Sequence, residues 1–170
     1  MHEAGQPNAF EPLEILRLLV ARQVEFVVIG GVAGALLGSY VTTSDLDIVP
    51  GASDENLLRL ANLLYELDAR LRREGEPEEL HRIPSGDWLR SAAFWNLETA
   101  LGHFDVVMRP TAGGGYAELA GSALELQLSV GPVLVAALDE LIAMKEAAGR
   151  PKDEPGLRFL RWLRDHPAEE

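Results

Sequence analysis

The chain has 170 residues, enough for one domain to bury a core without disulfide or metal staples. Apolar residues make up 47% of it and charged residues 25%, which excludes a fibrous or disordered chain and fits a globular one. The absence of cysteine excludes disulfides and thiolate metal sites, and a net charge of −12 opposes tight binding to a phosphate backbone, so no strong DNA binding is expected.

No apolar run is long enough to cross a bilayer, and Met1 to Phe10 lack the basic and apolar regions of a signal peptide. The expected location is the cytoplasm, with no membrane partner. Pro12 suits the first turn of a helix, and Leu13, Leu16, Leu19 and Val20 carry that helix to about Arg22. Glu25 to Ile29 reads as a short buried strand, ended by Gly30 and Gly31. Val32 to Leu37 follows as a helix. Leu46 to Val49 is a second strand, stopped at Pro50-Gly51.

Ser53 caps the next helix, which carries a stripe of Leu57, Leu60, Leu64 and Leu67. Glu66 to Glu79 is acidic with arginines interspersed, and residues 75–86 read as a polar loop with short helical pieces. Phe94 to Thr99 and Phe104 to Met108 are two strands joined at Leu101-Gly102. Gly113 to Gly115 is loop. Short strands are expected at Leu124 to Leu128 and Val133 to Val135. A helix over Ala137 to Ala148 ends at Gly149, and a last helix covers Leu157 to Arg164. The fold class is α/β (α+β), with a small mixed sheet flanked by helices.

Three features carry chemistry together. A strand, two glycines and a helix start let a ligand approach the backbone and offer free N–H groups to phosphate. Asp45 and Asp47 are two apart on a strand, so both carboxylates leave one face, with Cβ atoms roughly 7 Å apart. Two like charges there call for a cation, and magnesium takes carboxylates plus substrate phosphates. Asp105 lies inside the apolar run His103 to Val107, where an unpaired acid is costly to bury. Lys145 shares a helix stripe with Leu138, Leu141 and Ile142, and a lysine aimed inward wants an anion. The four histidines lack metal-ligand spacing. His103 shares a face with Asp105 by its two-residue offset and reads as structural. Trp88, Phe94 and Trp95 read as core, and Asp153 as a helix cap.

The combination Ile29-Gly30-Gly31, Asp45-Leu46-Asp47 and Asp105 resembles the nucleotidyltransferase superfamily that includes DNA polymerase β, over about residues 24–109. Leu138 to Lys145 and Gly149 to Asp153 look like the closing motif of its AbiEii-type branch, which includes toxins of bacterial toxin–antitoxin systems. The resemblance implies a nucleotidyltransferase-like fold in a single domain over residues 1–170, with C-terminal helices at about 137–165. It implies transfer of a nucleoside monophosphate from a nucleoside triphosphate to a hydroxyl of a protein, an RNA end or a small molecule. Asp45, Asp47 and Asp105 are then the metal-binding and catalytic residues for one or two Mg²⁺ ions, Asp105 holding a second ion or accepting the acceptor's proton. Gly30, Gly31, Thr43, Ser44, Lys145, Arg150 and Lys152 are then the nucleotide-binding residues. An antitoxin or other partner protein is also implied. The chain departs from its relatives at Gly31, where serine is frequent, and at Val41, where many carry arginine. Those two positions motivate a rival reading, a catalytically degenerate nucleotide-binding or protein-interaction module.

Overall fold

Pro12 opens helix α1 (Pro12–Ala21), and Ile15, Leu16 and Leu19 form its buried stripe. The computed structural model describes residues 9–72, 78–79 and 84–169. Strand β1 (Phe26–Ile29) is buried at all four positions, as an unbroken apolar run specifies when both faces of a strand are covered. Helix α2 (Gly30–Leu36) starts directly from it. Strand β2 (Asp45–Pro50) leads to helix α3 (Asp54–Glu66), whose Ser53 Oγ accepts from the Asn56 N–H at 3.2 Å.

Short strands β3 (Arg70–Leu71) and β4 (Glu78–Glu79) and helix α4 (Gly86–Arg90) precede a hairpin of β5 (Phe94–Thr99) and β6 (Gly102–Val107). Helix α5 (Tyr116–Ser122) then leads to a second hairpin, β7 (Leu124–Leu128) and β8 (Gly131–Val135). Helix α6 (Leu138–Ala148) ends at Gly149 in the left-handed conformation. A 3₁₀ turn (Pro151–Asp153) runs into helix α7 (Glu154–Asp165).

The described strands form one mixed sheet in the order β4-β3-β5-β6-β2-β1-β8-β7. β1 is antiparallel to β2 and parallel to β8, and β2 is parallel to β6. The register sets Leu46 beside Phe104, Ile48 beside Val106, and Phe104 beside Leu97. These five residues are fully buried on one face and join the stripes of α1 and α3 in a single apolar cluster. Because side chains alternate across a strand, the opposite face of β2 and β6 carries Asp45, Asp47, His103 and Asp105.

Asn56 locks the lower end of this unit. Its amide donates to Glu25 O at 2.9 Å and to Gly51 O at 2.8 Å, and its Oδ1 accepts from Glu25 N at 2.7 Å. A buried polar side chain is stable only when satisfied in this way.

Several boundaries differ from the sequence reading. Gly30 itself belongs to α2, at φ +68°. The hairpin turn is Ala100-Leu101, and Gly102 opens β6 at φ +107°. Helix α5 lies between the expected loop and strand, in a segment to which the sequence assigns no element because its stripe is too short to show a period. The last helix begins three residues earlier than Leu157, seeded by the 3₁₀ turn and by Pro155 in its first turn. Most of the expected polar loop at 75–86 lies outside the described residues.

Candidate active site

The β2–β6 register pairs Asp47 with Asp105 and Asp45 with His103. β5 extends the same rows, setting Asn96 beside Asp105 and Glu98 beside His103. Asp105 is buried, at 6% exposure, and its Oδ1 has no hydrogen-bond partner. Its Oδ2 accepts from Arg72 Nη2 at 3.1 Å. Arg72 Nη1 lies 3.7 Å from Asp45 Oδ1 and 3.4 Å from Leu97 O, to which it donates. His103 Nδ1 lies 3.1 Å from the same Asp45 Oδ1.

Burial is the main force on Asp47. Together with the charges of Asp105 and Asp45, it pushes that carboxyl up to about 7, against a smaller opposing effect of Arg72. Burial also raises Asp105, opposed by Arg72. Among the described residues, Arg72 is the cation paired directly with these acids, and it reaches Asp45 and Asp105. The unpartnered Oδ1 of Asp105 and the raised Asp47 both favour a cation here, and hard oxygen donors of this kind fit Mg²⁺. Among the described residues, no three acidic or histidine side chains converge closely enough to hold an ion as they stand. The Arg72 guanidinium reaches both Asp45 and Asp105, so an ion binding there must displace it or share the acids with it.

The glycine bend is shaped by these acids. A Cβ on Gly30 would stand 2.4 Å from Asp47 Oδ2, so only glycine lets the carboxylate lie against the backbone. A Cβ on Gly31 would stand 2.5 Å from Thr43 Oγ1. The space a serine would fill at position 31 is therefore taken by the hydroxyl of Thr43, which also donates to Asp45 O at 3.2 Å.

All ten residues singled out from the sequence line one polar cleft of about 420 Å³: Gly30, Gly31, Thr43, Ser44, Asp45, Asp47, Asp105, Lys145, Arg150 and Lys152. Val41 lines it too. Lys145 Nζ lies 3.5 Å from Asp153 Oδ1, and Arg150 donates to both Asp153 oxygens at 2.6 and 3.3 Å. Asp153 is thus an ion-pair anchor with no side-chain capping bond, contrary to the expected helix cap. Its burial raises its pKa, but Arg150 and Lys145 outweigh this and the net shift is downward. A second cleft, of about 440 Å³, shares Gly30, Asp47, Asn96, Asp105, Lys145 and Arg150 with the first.

Arg72 and Asn96 were not legible as site residues. Arg72 sits in an acidic stretch that reads as solvated surface, and only strand pairing brings it to the carboxylates. His103 does share the acids' face, but it meets Asp45, not Asp105. Trp88 and Trp95 stack at 3.8 Å and are half-buried, whereas Phe94 is 58% exposed and lines the second cleft, so it is not core.

No protein-family model matches the sequence, and no curated protein is significantly similar to it. Solved structures do match. A protein of Thermotoga maritima described as a nucleotidyltransferase aligns over 98% of this chain and all of its own, at TM-score 0.55 and 18% identity. The lincosamide antibiotic adenylyltransferase LnuA, in its lincomycin-bound form, aligns over 91% of this chain and 98% of its own, at TM-score 0.61 and 15% identity. ANT(2″)-Ia in complex with adenylyl-2″-tobramycin covers 87% and 84%, at TM-score 0.55 and 18% identity. At these identities the likeness establishes architecture, and the chain has the nucleotidyltransferase-like fold.

Proposed function

We propose that the chain is a magnesium-dependent nucleotidyltransferase that moves a nucleoside monophosphate from a nucleoside triphosphate to an acceptor hydroxyl, releasing pyrophosphate. One observation carries the reading. Parallel pairing of β2 with β6 brings Asp47 beside Asp105 across one sheet face, with Asp47 lying against the backbone of Gly30 where a Cβ would not fit. Asp45 and Asp47 would hold the ion against the triphosphate, with Asp105 beside them. Bound there, Mg²⁺ supplies charge stabilisation to the phosphoryl group in transfer. Lys145, Arg150 and Lys152 face the polar cleft and would take the phosphates. Asp105, oriented by Arg72, would hold a second ion or accept the acceptor's proton at its free Oδ1. Thr43 supplies the hydroxyl that relatives place at position 31.

The neighbours bound to lincomycin and adenylyl-tobramycin favour a small-molecule acceptor over a protein or an RNA end. The strongly acidic chain points the same way. A place in a toxin–antitoxin system, with an antitoxin as partner, rests on the sequence resemblance alone. Cytoplasmic location rests on composition; among the described residues no helix is long and apolar enough to cross a membrane.

A second reading has one observation of its own. Arg72 already occupies Asp45 and Asp105, which suits a nucleotide-binding module without chemistry. Calorimetry with each nucleoside triphosphate and Mg²⁺, followed by a pyrophosphate-release assay, separates the two. Binding without turnover under any acceptor mixture favours the module, and absence of binding removes both.

A further inference from the structure

The sheet face that carries the acids continues past them. One row beyond Asn96, Asp105 and Asp47, the β5–β6 register sets Phe94 against Val107. Phe94 is exposed on an open strand face, which is unsatisfied apolar surface beside charged groups. Leu141 and Met144 of α6 and Pro110 of the following loop complete the walls of the second cleft. That cleft excludes Asp45, Ser44 and Lys152, and the polar cleft excludes Phe94 and Val107. The two therefore open on opposite sides of the Asp47–Asp105 row.

Displacement at phosphorus in line sets the entering oxygen opposite the leaving one. Pyrophosphate belongs with Gly31, Thr43, Ser44 and Lys152, which line the polar cleft and not the apolar one, so the hydroxyl enters from the apolar side. Among the described residues, the apolar cleft has no acid in its lining apart from Asp47 and Asp105, and its own charged residue is Arg109, with Lys145 and Arg150 at the shared edge. A polycation would find there only the carboxylates already needed for the ion.

We propose, resting on the nucleotidyltransferase reading, that this cleft receives the acceptor, and that the acceptor is a small neutral or anionic molecule with a flat apolar face and a hydroxyl. In the step itself, the acceptor oxygen bonds to the α-phosphorus. The bond from that phosphorus to the bridging oxygen breaks, pyrophosphate leaves with the electron pair, and the hydroxyl proton passes to Asp105.

The test uses the full chain and two probes. One is 6-hydroxy-2-naphthoate, a flat fluorescent anion with a hydroxyl. The other is tobramycin, a polyamine. Each is titrated with and without Mg²⁺ and a non-transferable α,β-methylene ATP. The naphthoate binds saturably, and tobramycin binds about tenfold more weakly or worse. Phe94→Ala combined with Met144→Ala weakens the naphthoate about tenfold, while Arg109→Glu narrows or reverses the preference between probes. The ATP analogue binds equally to wild type and to these variants. Tobramycin binding as tightly as the naphthoate overturns the proposal. So does naphthoate affinity untouched by the double variant, or displacement of the naphthoate by AMP, which would make the cleft a base site. Failure of the ATP analogue to bind wild type removes the nucleotidyltransferase reading itself. That failure is recognisable because the naphthoate is also measured without nucleotide.

Discussion

Asp47 and Asp105 occupy paired positions on neighbouring parallel strands, and their carboxylates leave the same face of the sheet, Asp105 buried and Asp47 half-buried. Burial raises both pKa values, Asp47 to about 7 with a further push from the charges of Asp105 and Asp45, and Asp105 against the opposing charge of Arg72. Between the ordinary range and about 7 the folded chain thus holds protons that the unfolded chain has released. Stability contributed by these groups is present at low pH and lost as pH rises through that window. Without divalent cations, Tm is expected to fall between pH 5 and pH 8 more steeply in wild type than in Asp47→Asn. The difference should reach several degrees, from a destabilisation on the order of a few kcal/mol. Added Mg²⁺ should recover it mainly above pH 7, where the acids are charged. Parallel melting curves for the two proteins would count against the strain at Asp47.

Replacing one acid should separate chemistry from folding. Asp45→Asn, Asp47→Asn and Asp105→Asn are each expected to lower nucleotide transfer by about 10²–10³-fold or more. Asp45, half-buried at the start of its strand, should do so with little change in Tm. Pyrophosphate release measured beside circular dichroism checks this, and a fully active Asp105→Asn would remove Asp105 from the mechanism.

The glycine bend makes a paired prediction. Gly31→Ser places a side chain on the Thr43 hydroxyl and should destabilise the chain by about 1–3 kcal/mol. Adding Thr43→Ala should recover most of that loss, since the new serine then fills the vacated space. Gly30→Ala has no such rescue, because it meets both Asp47 and a positive φ. Chemical denaturation of these three variants and of Thr43→Ala alone reads the outcome. Additive losses in the double variant would mean that residues 31 and 43 do not share one space.

Arg72 competes for the same oxygens a divalent ion would use. Arg72→Met is expected to tighten Mn²⁺ binding several-fold, as read by electron paramagnetic resonance without nucleotide. Transfer should fall in the same variant, because Asp105 loses the group that orients it. Unchanged Mn²⁺ affinity would show that the ion binds away from Arg72.

Asp153 ties Lys145 to Arg150, so its removal should act at a distance. Asp153→Asn is expected to raise KM for the nucleoside triphosphate more than it lowers kcat, since it disturbs phosphate contacts. A pure kcat effect would place the pair outside nucleotide binding.

The sheet centre and the three acids were legible because periodicity and local chemistry agree there. The run Glu25 to Ile29 reads as a covered strand from its shortness and β-branched residues, and the alternation of Asp45, Leu46, Asp47 and Ile48 assigns faces by itself. What was not legible depends on contacts across the chain. Arg72 reaches Asp105 only because β3 pairs with β5, and a two-residue strand leaves no pattern. Phe94 has the apolar character of a core residue but stands open on the sheet face that carries the acids. The Asp153 anchor has the sequence of a helix cap, and only the fold of α6 onto α7 shows its partners.

The gap between Asp47 and Asp105 is a rung of the sheet, fixed by the spacing of about 4.8 Å between adjacent strands. It is not measured along the polypeptide. Insertions or deletions between Pro50 and Leu101 can lengthen, shorten or remodel the outer strands without altering the distance at which the two acids meet. Such a chain is free to change what it recognises while the ruler at its centre stays the same.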